Sequence, residues 1–218
     1  MVYGSDLKNS GWTVYKNNIY QLPLPNITKI VAFNGTNLKL VDGGFNNLSS
    51  DQWNWDNGVL YLNIGTNPNG RNIEVSQRNT SVSINLRDNI EISDINILYP
   101  NDSGSNVKNS NNIKFSNVDS SHNGNEGFKQ YGASTAQYSN IIGNDNLDDN
   151  FSLHDQSIAA IDGGIFKRNV SGIQNINSPQ ITLKNVESSD NSTHGFSVLY
   201  NINGVGGTGK ILDSKFLE

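Results

Sequence analysis

The chain has 218 residues, a formal net charge of −5, 34% hydrophobic residues and no cysteine. The acidic balance argues against nucleic acid as a partner, which needs a basic face. The missing cysteines remove disulfides and thiolate chemistry, and no apolar run approaches the ~18 residues of a membrane-spanning helix.

Residues 1–71 show no repeat. Trp12-Thr13-Val14-Tyr15 and Asn18-Ile19-Tyr20 alternate as strands do, and Leu22-Pro23-Leu24-Pro25 reads as an extended edge. Lys29 to Phe33 is a further strand, closed by Asn34-Gly35. Trp53-Asn54-Trp55, Asp56-Asn57-Gly58 and Val59-Leu60-Tyr61-Leu62 together form a strong hairpin signal. This region is expected to be an N-terminal β-cap over the open end of a stack, with Trp12, Trp53 and Trp55 buried in it. A sugar-stacking platform built from the same three tryptophans is the alternative. Residues 72–75 and 81–84 lead into the first clear rung at Ile90.

From there to Asn203 the chain repeats. Glycine or asparagine precedes an apolar or small residue at Gly104, Gly127, Asn150, Gly172 and Gly195, in steps of 23, 23, 22 and 23. Ile90, Ile113, Ala136, Ile158 and Ile181 form a second column, and Asp94, Asn117, Asn140, Asp162 and Asn185 a third. A fixed period in the low twenties means stacked similar units. The units lack helical periodicity and leucine density, but hold short alternating runs split by Asn, Gly, Ser and Asp. They therefore read as parallel-paired β-coils of 22–23 residues, one continuous body over residues 72–218. Ile92, Phe115, Tyr138, Ala160 and Leu183 should point inward, and the Asn/Asp column should occupy turns with left-handed backbone. The glycine-rich run at residues 203–209 reads as an inserted loop without the features of a phosphate loop. Residues 211–216 read as one more strand.

Gly127-Phe128 with Asn112-Ile113-Lys114-Phe115-Ser116-Asn117, and Gly195-Phe196 with Gln180 to Asn185, resemble the right-handed parallel β-helix proteins of the pectate-lyase-like superfamily. The resemblance covers roughly residues 72–216. It implies an all-β, right-handed parallel β-helix acting on polysaccharide. The superfamily also holds hydrolases, epimerases, tailspikes and inert binders. Three functions therefore stay open: a lyase on acidic glycans, a non-catalytic carbohydrate-binding module of a larger secreted enzyme, and a phage tailspike or surface adhesin segment. Polysaccharide is the expected partner, a monomer is expected rather than a trimer, and the localisation is expected to be extracellular, although no signal peptide is visible at Met1.

In such helices the ligand cleft lies along one outward sheet face, here the strand after Gly127. Its outward columns read Asn106, Lys129, Ser152, Gln174, Ser197 and Lys108, Tyr131, His154, Ile176, Leu199, with Ser103, Glu126, Asp149, Ser171, His194 in the turn before it. Elimination from a uronate needs a base for the C5 proton and a cation for the carboxylate. Lys129 serves as base if its neighbours lower its pKa; His154 serves as base or acid near neutrality. Glu126 with Asp149 or Asp148 offers hard oxygens for Ca²⁺. Lys108, Tyr131, Ser152, Arg168, Gln174 and His194 complete the expected substrate-binding set, although Arg168 with Lys167 also reads as the bracket of a turn. Hydrolysis would instead use two carboxylates. The competing bland reading is a solvated β-face with assorted polar residues. The Ser, His and Asp of Phe151 to Asp155 lie along one strand and make no nucleophile elbow, and His122 has no second ligand at metal spacing.

Overall fold

The structure, a computed structural model, describes residues 1–177, 179–199 and 207–217; residues 203–206 of the glycine-rich run lie outside them. Every regular element among the described residues is a strand. The chain divides into two compact units: residues 5–78, and residues 79–218 together with Met1–Gly4.

In the smaller unit, Gln52–Asp56 and Val59–Asn63 pair antiparallel as the hairpin signal requires, with Asn57 and Gly58 both at positive φ in the turn. Trp12 and Trp53 are buried beside Leu22, Leu60, Leu62 and Ile73, which overturns the sugar platform as far as these two are concerned. The Trp55 indole, partly buried, donates to the Leu24 carbonyl at 2.8 Å. Ile73–Ser76 belongs here and not to the coils: it pairs antiparallel with Ser5–Leu7 and with Val31–Phe33.

The larger unit is a parallel β-helix. Six strands of four to six residues stack in one sheet, from Val82–Asn85 through Ser105–Lys108, Phe128–Tyr131, Asp149–His154 and Ser171–Ile176 to His194–Leu199. Longer strands, among them Ile113–Ser121, Thr135–Asn144 and Ile158–Lys167, stack in the other. Met1–Gly4 contributes Val2–Tyr3, which pairs with Ile97 and Leu98 and covers that end of the longer sheet. Between the sheets lie Phe115, Phe128, Tyr138, Phe151, Ile161, Ile173 and Leu183. Phe115 and Tyr138 stack with centroids 5.2 Å apart, and Tyr138 meets Phe151 edge-on at 4.8 Å.

The longer strands bend where one residue turns left-handed: Asp94, Asn117, Asn140, Gly163 and Asn185. Asn and Asp tolerate that geometry best among residues with a side chain. Their amides also bridge rungs, Asn117 to Asp94 at 2.9 Å and Asn140 to Asn117 at 3.3 Å. The fourth rung differs from the sequence reading by one residue. Ala159, not Ile158, aligns with Ala136 and Ile181, and Ile161, not Ala160, aligns with Tyr138 and Leu183. Asp162 accordingly leaves the bend to Gly163 and pairs with Ser139. The cause is the place of the shortened step: the backbone amide of Asn146 bonds Asn169, 23 residues on, but that of Asn169 bonds Asn191, 22 on. The residue is lost from the turn between Asn169 and Ser171, after the strand and not within it. A one-residue slip exchanges inward and outward side chains, so Ile158 is exposed and Ile161 buried.

A second asparagine ladder, missed in the sequence, runs inside the turns. The backbone N–H groups of Asn123, Asn146 and Asn169 each donate to the side-chain oxygen of the next asparagine, Asn146, Asn169 and Asn191, at 2.9–3.0 Å. Asn123, Asn146 and Asn169 are buried. The Asn123 Oδ1 has no partner, because one step back the chain places Pro100, which has no N–H to give. The glycine column serves the same corner. A side chain at Gly104 or Gly172 would collide with Ser120 or Ser188, whose hydroxyls donate to the Gly127 and Gly195 carbonyls at 2.7 and 2.9 Å.

Asn146→Ala is expected to cost about 3 kcal/mol, because it leaves the Asn123 amide buried and unsatisfied. Asn117→Gly, at an exposed left-handed position, should cost within about 0.5 kcal/mol. Urea denaturation of both variants checks the order.

Candidate functional site

The register of the short-strand sheet brings most of the expected residues together. Asn106, Lys129, Ser152, Gln174 and Ser197 align in one column, and Ser171 aligns with both Asp149 and His194. Phe128, Phe151 and Ile173 anchor the inner side of each strand, which fixes the outward direction of the residues between them.

Two linked groups result. Glu126, nearly fully buried, accepts from Lys129 Nζ at 2.7 Å and from Ser103 Oγ at 2.7 Å. Burial pushes the Glu126 carboxyl up, but the bonds from Lys129 and Ser103 outweigh it and hold the group below its ordinary value. The same pair acts oppositely on Lys129: burial pulls the ammonium down, and the bond and charge of Glu126 more than reverse this. Lys129 is therefore a fixed positive charge, and the role of base that required a lowered pKa does not fit it.

On the next rung, Ser152 Oγ lies 2.7 Å from His154 Nε2. Burial lowers the His154 pKa, and the Lys129 charge lowers it further against the opposing carboxylates of Glu126 and Asp155. The imidazole is thus neutral at neutral pH. Asp149 is buried, with one oxygen, Oδ1, unpartnered. Burial raises its pKa to about 7, the charges of Asp148 and Glu126 add to that, and the hydroxyls of Ser171 and Ser152 offset it in part. Ser103 and Ser171 were not singled out in the sequence as part of the site. Their signal was the column itself, since they occupy the rung position of Glu126 and Asp149.

Other expected members sit at the margin. Lys108 lies over the Tyr131 ring at 5.1 Å, and Gln174 donates to Ser171 at 3.3 Å. His194 is exposed on the rung beyond Ser171. Arg168 is not in the patch. It turns left-handed at the end of a long strand and grips Asp145 through Nε and a terminal nitrogen at 2.8 and 2.7 Å, so it brackets a turn. Glu126, Asp148 and Asp149 were the residues expected to hold Ca²⁺. Both Glu126 oxygens are engaged by Lys129 and Ser103, and no group of three or more His, Cys, Asp or Glu able to hold a metal occurs among the described residues.

No protein-family model matches the chain, and no curated protein does. The fold does resemble a solved structure, the complex of XylC with xylose, with a TM-score of 0.62 and 11% identity over 98% of this chain and 52% of that one. The chain thus spans about half the length of XylC, and at this identity the likeness supports the fold, a parallel β-helix.

The raised pKa of Asp149 has a thermodynamic consequence with a definite sign. Below about pH 4 the carboxyl is protonated in both folded and unfolded chains and contributes nothing. Between about 4 and 7 the unfolded chain ionises first, so stability falls as pH rises. Asp149→Asn should therefore gain melting temperature relative to the parent between pH 5 and pH 8, which calorimetry on both proteins measures.

Proposed function

We propose that this chain acts on an acidic polysaccharide at the outward face of the short-strand sheet, as a pectate-lyase-like β-eliminating enzyme. The observation that carries the reading is the pairing, on stacked rungs, of a neutral imidazole with an ammonium held charged: His154 and Lys129. β-Elimination needs those two functions. His154 takes the C5 proton of a uronate, the C–H electron pair becomes the C4=C5 double bond, and the C4–O bond breaks toward the leaving sugar, which is protonated from water. Lys129 offsets the charge that develops on the uronate carboxylate. Tyr131, Lys108 and Gln174 lie along the same face to position the chain of sugars. That the complex of XylC, a β-helix by its likeness to this fold, holds xylose supports a carbohydrate reading in general terms.

Hydrolysis is the second reading, favoured by one observation: the environments of Glu126 and Asp149 drive the two carboxyls apart, one held ionised and the other raised to about 7. Such a split is the pattern of an acid and its ionised partner.

Elimination creates ultraviolet-absorbing unsaturated uronate ends, and hydrolysis creates reducing ends without them. On a panel of polyuronates with and without calcium, the parent should produce unsaturated ends. His154→Gln should lose them by ~100-fold or more, and Lys129→Met should weaken them at every pH. Reducing ends alone, lost in Asp149→Asn, would establish hydrolysis. Binding without turnover would leave a carbohydrate-binding module.

A further inference from the structure

The two sides of His154 along the short-strand sheet differ in kind. One outward column runs Lys108, Tyr131, His154, Ile176, Leu199, with Tyr131 and His154 each one residue past the aligned pair Gln130 and Leu153. On the side of the earlier rungs lie two ammonium groups. Lys108 makes no ion pair among the described residues and holds its Nζ 5.1 Å from the centre of the Tyr131 ring. Lys129 is tied to Glu126 at 2.7 Å. On the side of the later rungs the column turns aliphatic: Ile176 is partly buried and Leu199 is 41% exposed. The neighbouring outward column there holds Gln174 and Ser197, and the turn holds Ser171 and His194. None of these positions past His154 is a lysine or arginine. Asp155, which follows His154, adds a carboxylate, bonded to Asn177 at 3.3 Å and to the Gly132 N–H at 3.0 Å. A ligand carboxylate laid over Ile176 and Leu199 would lose hydration without gaining a partner, and Asp155 would repel it. An uncharged, methyl-bearing group at the same place avoids both costs and covers aliphatic surface. A chain of identical free uronates therefore suits one side of His154 and not the other.

We propose that this face binds its glycan asymmetrically, with a free uronate at Lys108, Tyr131 and Lys129 and, past His154, a uronate whose carboxyl is masked as an ester over Ile176 and Leu199. Ile176 and Leu199 then set specificity from one and two rungs beyond His154, about 5 and 10 Å along the stack. Lys108 sets it from the other side, through the ammonium it holds at the Tyr131 ring. The substrate is a partly esterified polyuronate, and the order of free and esterified sugars fixes the direction in which the chain lies. The inference rests on the reading of this face as an acidic-glycan site, but not on elimination being the reaction.

The test is titration calorimetry on His154→Gln protein, so that ligand is bound and not cleaved, with four oligouronates of one length. One has every carboxyl free, one has every carboxyl methyl-esterified, and two are esterified on the reducing half only or on the non-reducing half only. One of the two half-esterified isomers should bind about 10-fold more tightly than the other and than the free oligomer. Leu199→Lys should abolish that advantage and tighten binding of the free oligomer. Lys108→Leu should weaken the favoured isomer and leave the fully esterified oligomer unchanged. Equal binding of the two isomers, or a preference that Leu199→Lys does not move, overturns the proposal even if the parent cleaves polyuronate. An isomer preference that Leu199→Lys abolishes, in a parent that cleaves none of the four, sustains the proposal and removes the elimination reading instead. No binding of any oligomer removes the acidic-glycan reading, and the proposal falls with it.

Discussion

Every rung must fit the rung beside it, and in this chain the fit is enforced most strongly where asparagine amides satisfy backbone N–H groups inside the turns. The bonds from Asn123 to Asn146 and from Asn146 to Asn169 are buried, and the bond from Asn169 to Asn191 is partly so. A buried amide without a partner costs on the order of 1–3 kcal/mol, so the ladder ties rung spacing to stability at each step. The exposed Asp94, Asn117 and Asn140 bridges repeat the device at the other bend, where the left-handed backbone is the stronger demand. A core this thin holds little more than one layer of inward side chains, and these polar ladders supply the register that a thicker apolar core would otherwise set.

The same register assembles the candidate site. Residues 23 apart in sequence become neighbours, so Ser103 meets Glu126 and Lys129 aligns with Ser152. Opposite shifts follow from small differences between equivalent positions. Glu126 has an ammonium and a hydroxyl as partners and stays ionised; Asp149, one rung on, has hydroxyls and two nearby carboxylates and is held partly protonated near neutrality. Two acids in one column thus acquire different chemistry from their neighbours alone. The patch is built on strands whose inner residues are locked in an aromatic core, which gives it the rigidity that positioned acid–base groups require.

Much of this was legible in the sequence, because period and parity are sequence properties. The inward Phe128 and Phe151 and the outward Lys129 and Ser152 follow from counting by 23. Counting failed at Ile158, since a 22-residue step does not say where its missing residue lies; only the bonds of Asn169 place it in the turn. Arg168 illustrates a different limit. Its charge suggested a carboxylate ligand, and it has one in Asp145, but in its own fold. The tie between Glu126 and Lys129, three residues apart across a corner, was equally invisible: it depends on the turn geometry that buries Glu126 and so decides that Lys129 stays charged.

Hydrogen–deuterium exchange of the protein with and without saturating oligouronate tests most directly that this patch is where the chain meets its ligand. Added protection is expected only in the segments around Glu126 to Tyr131 and Asp149 to His154. Protection confined to the long-strand sheet, or to residues 5–78, would contradict it.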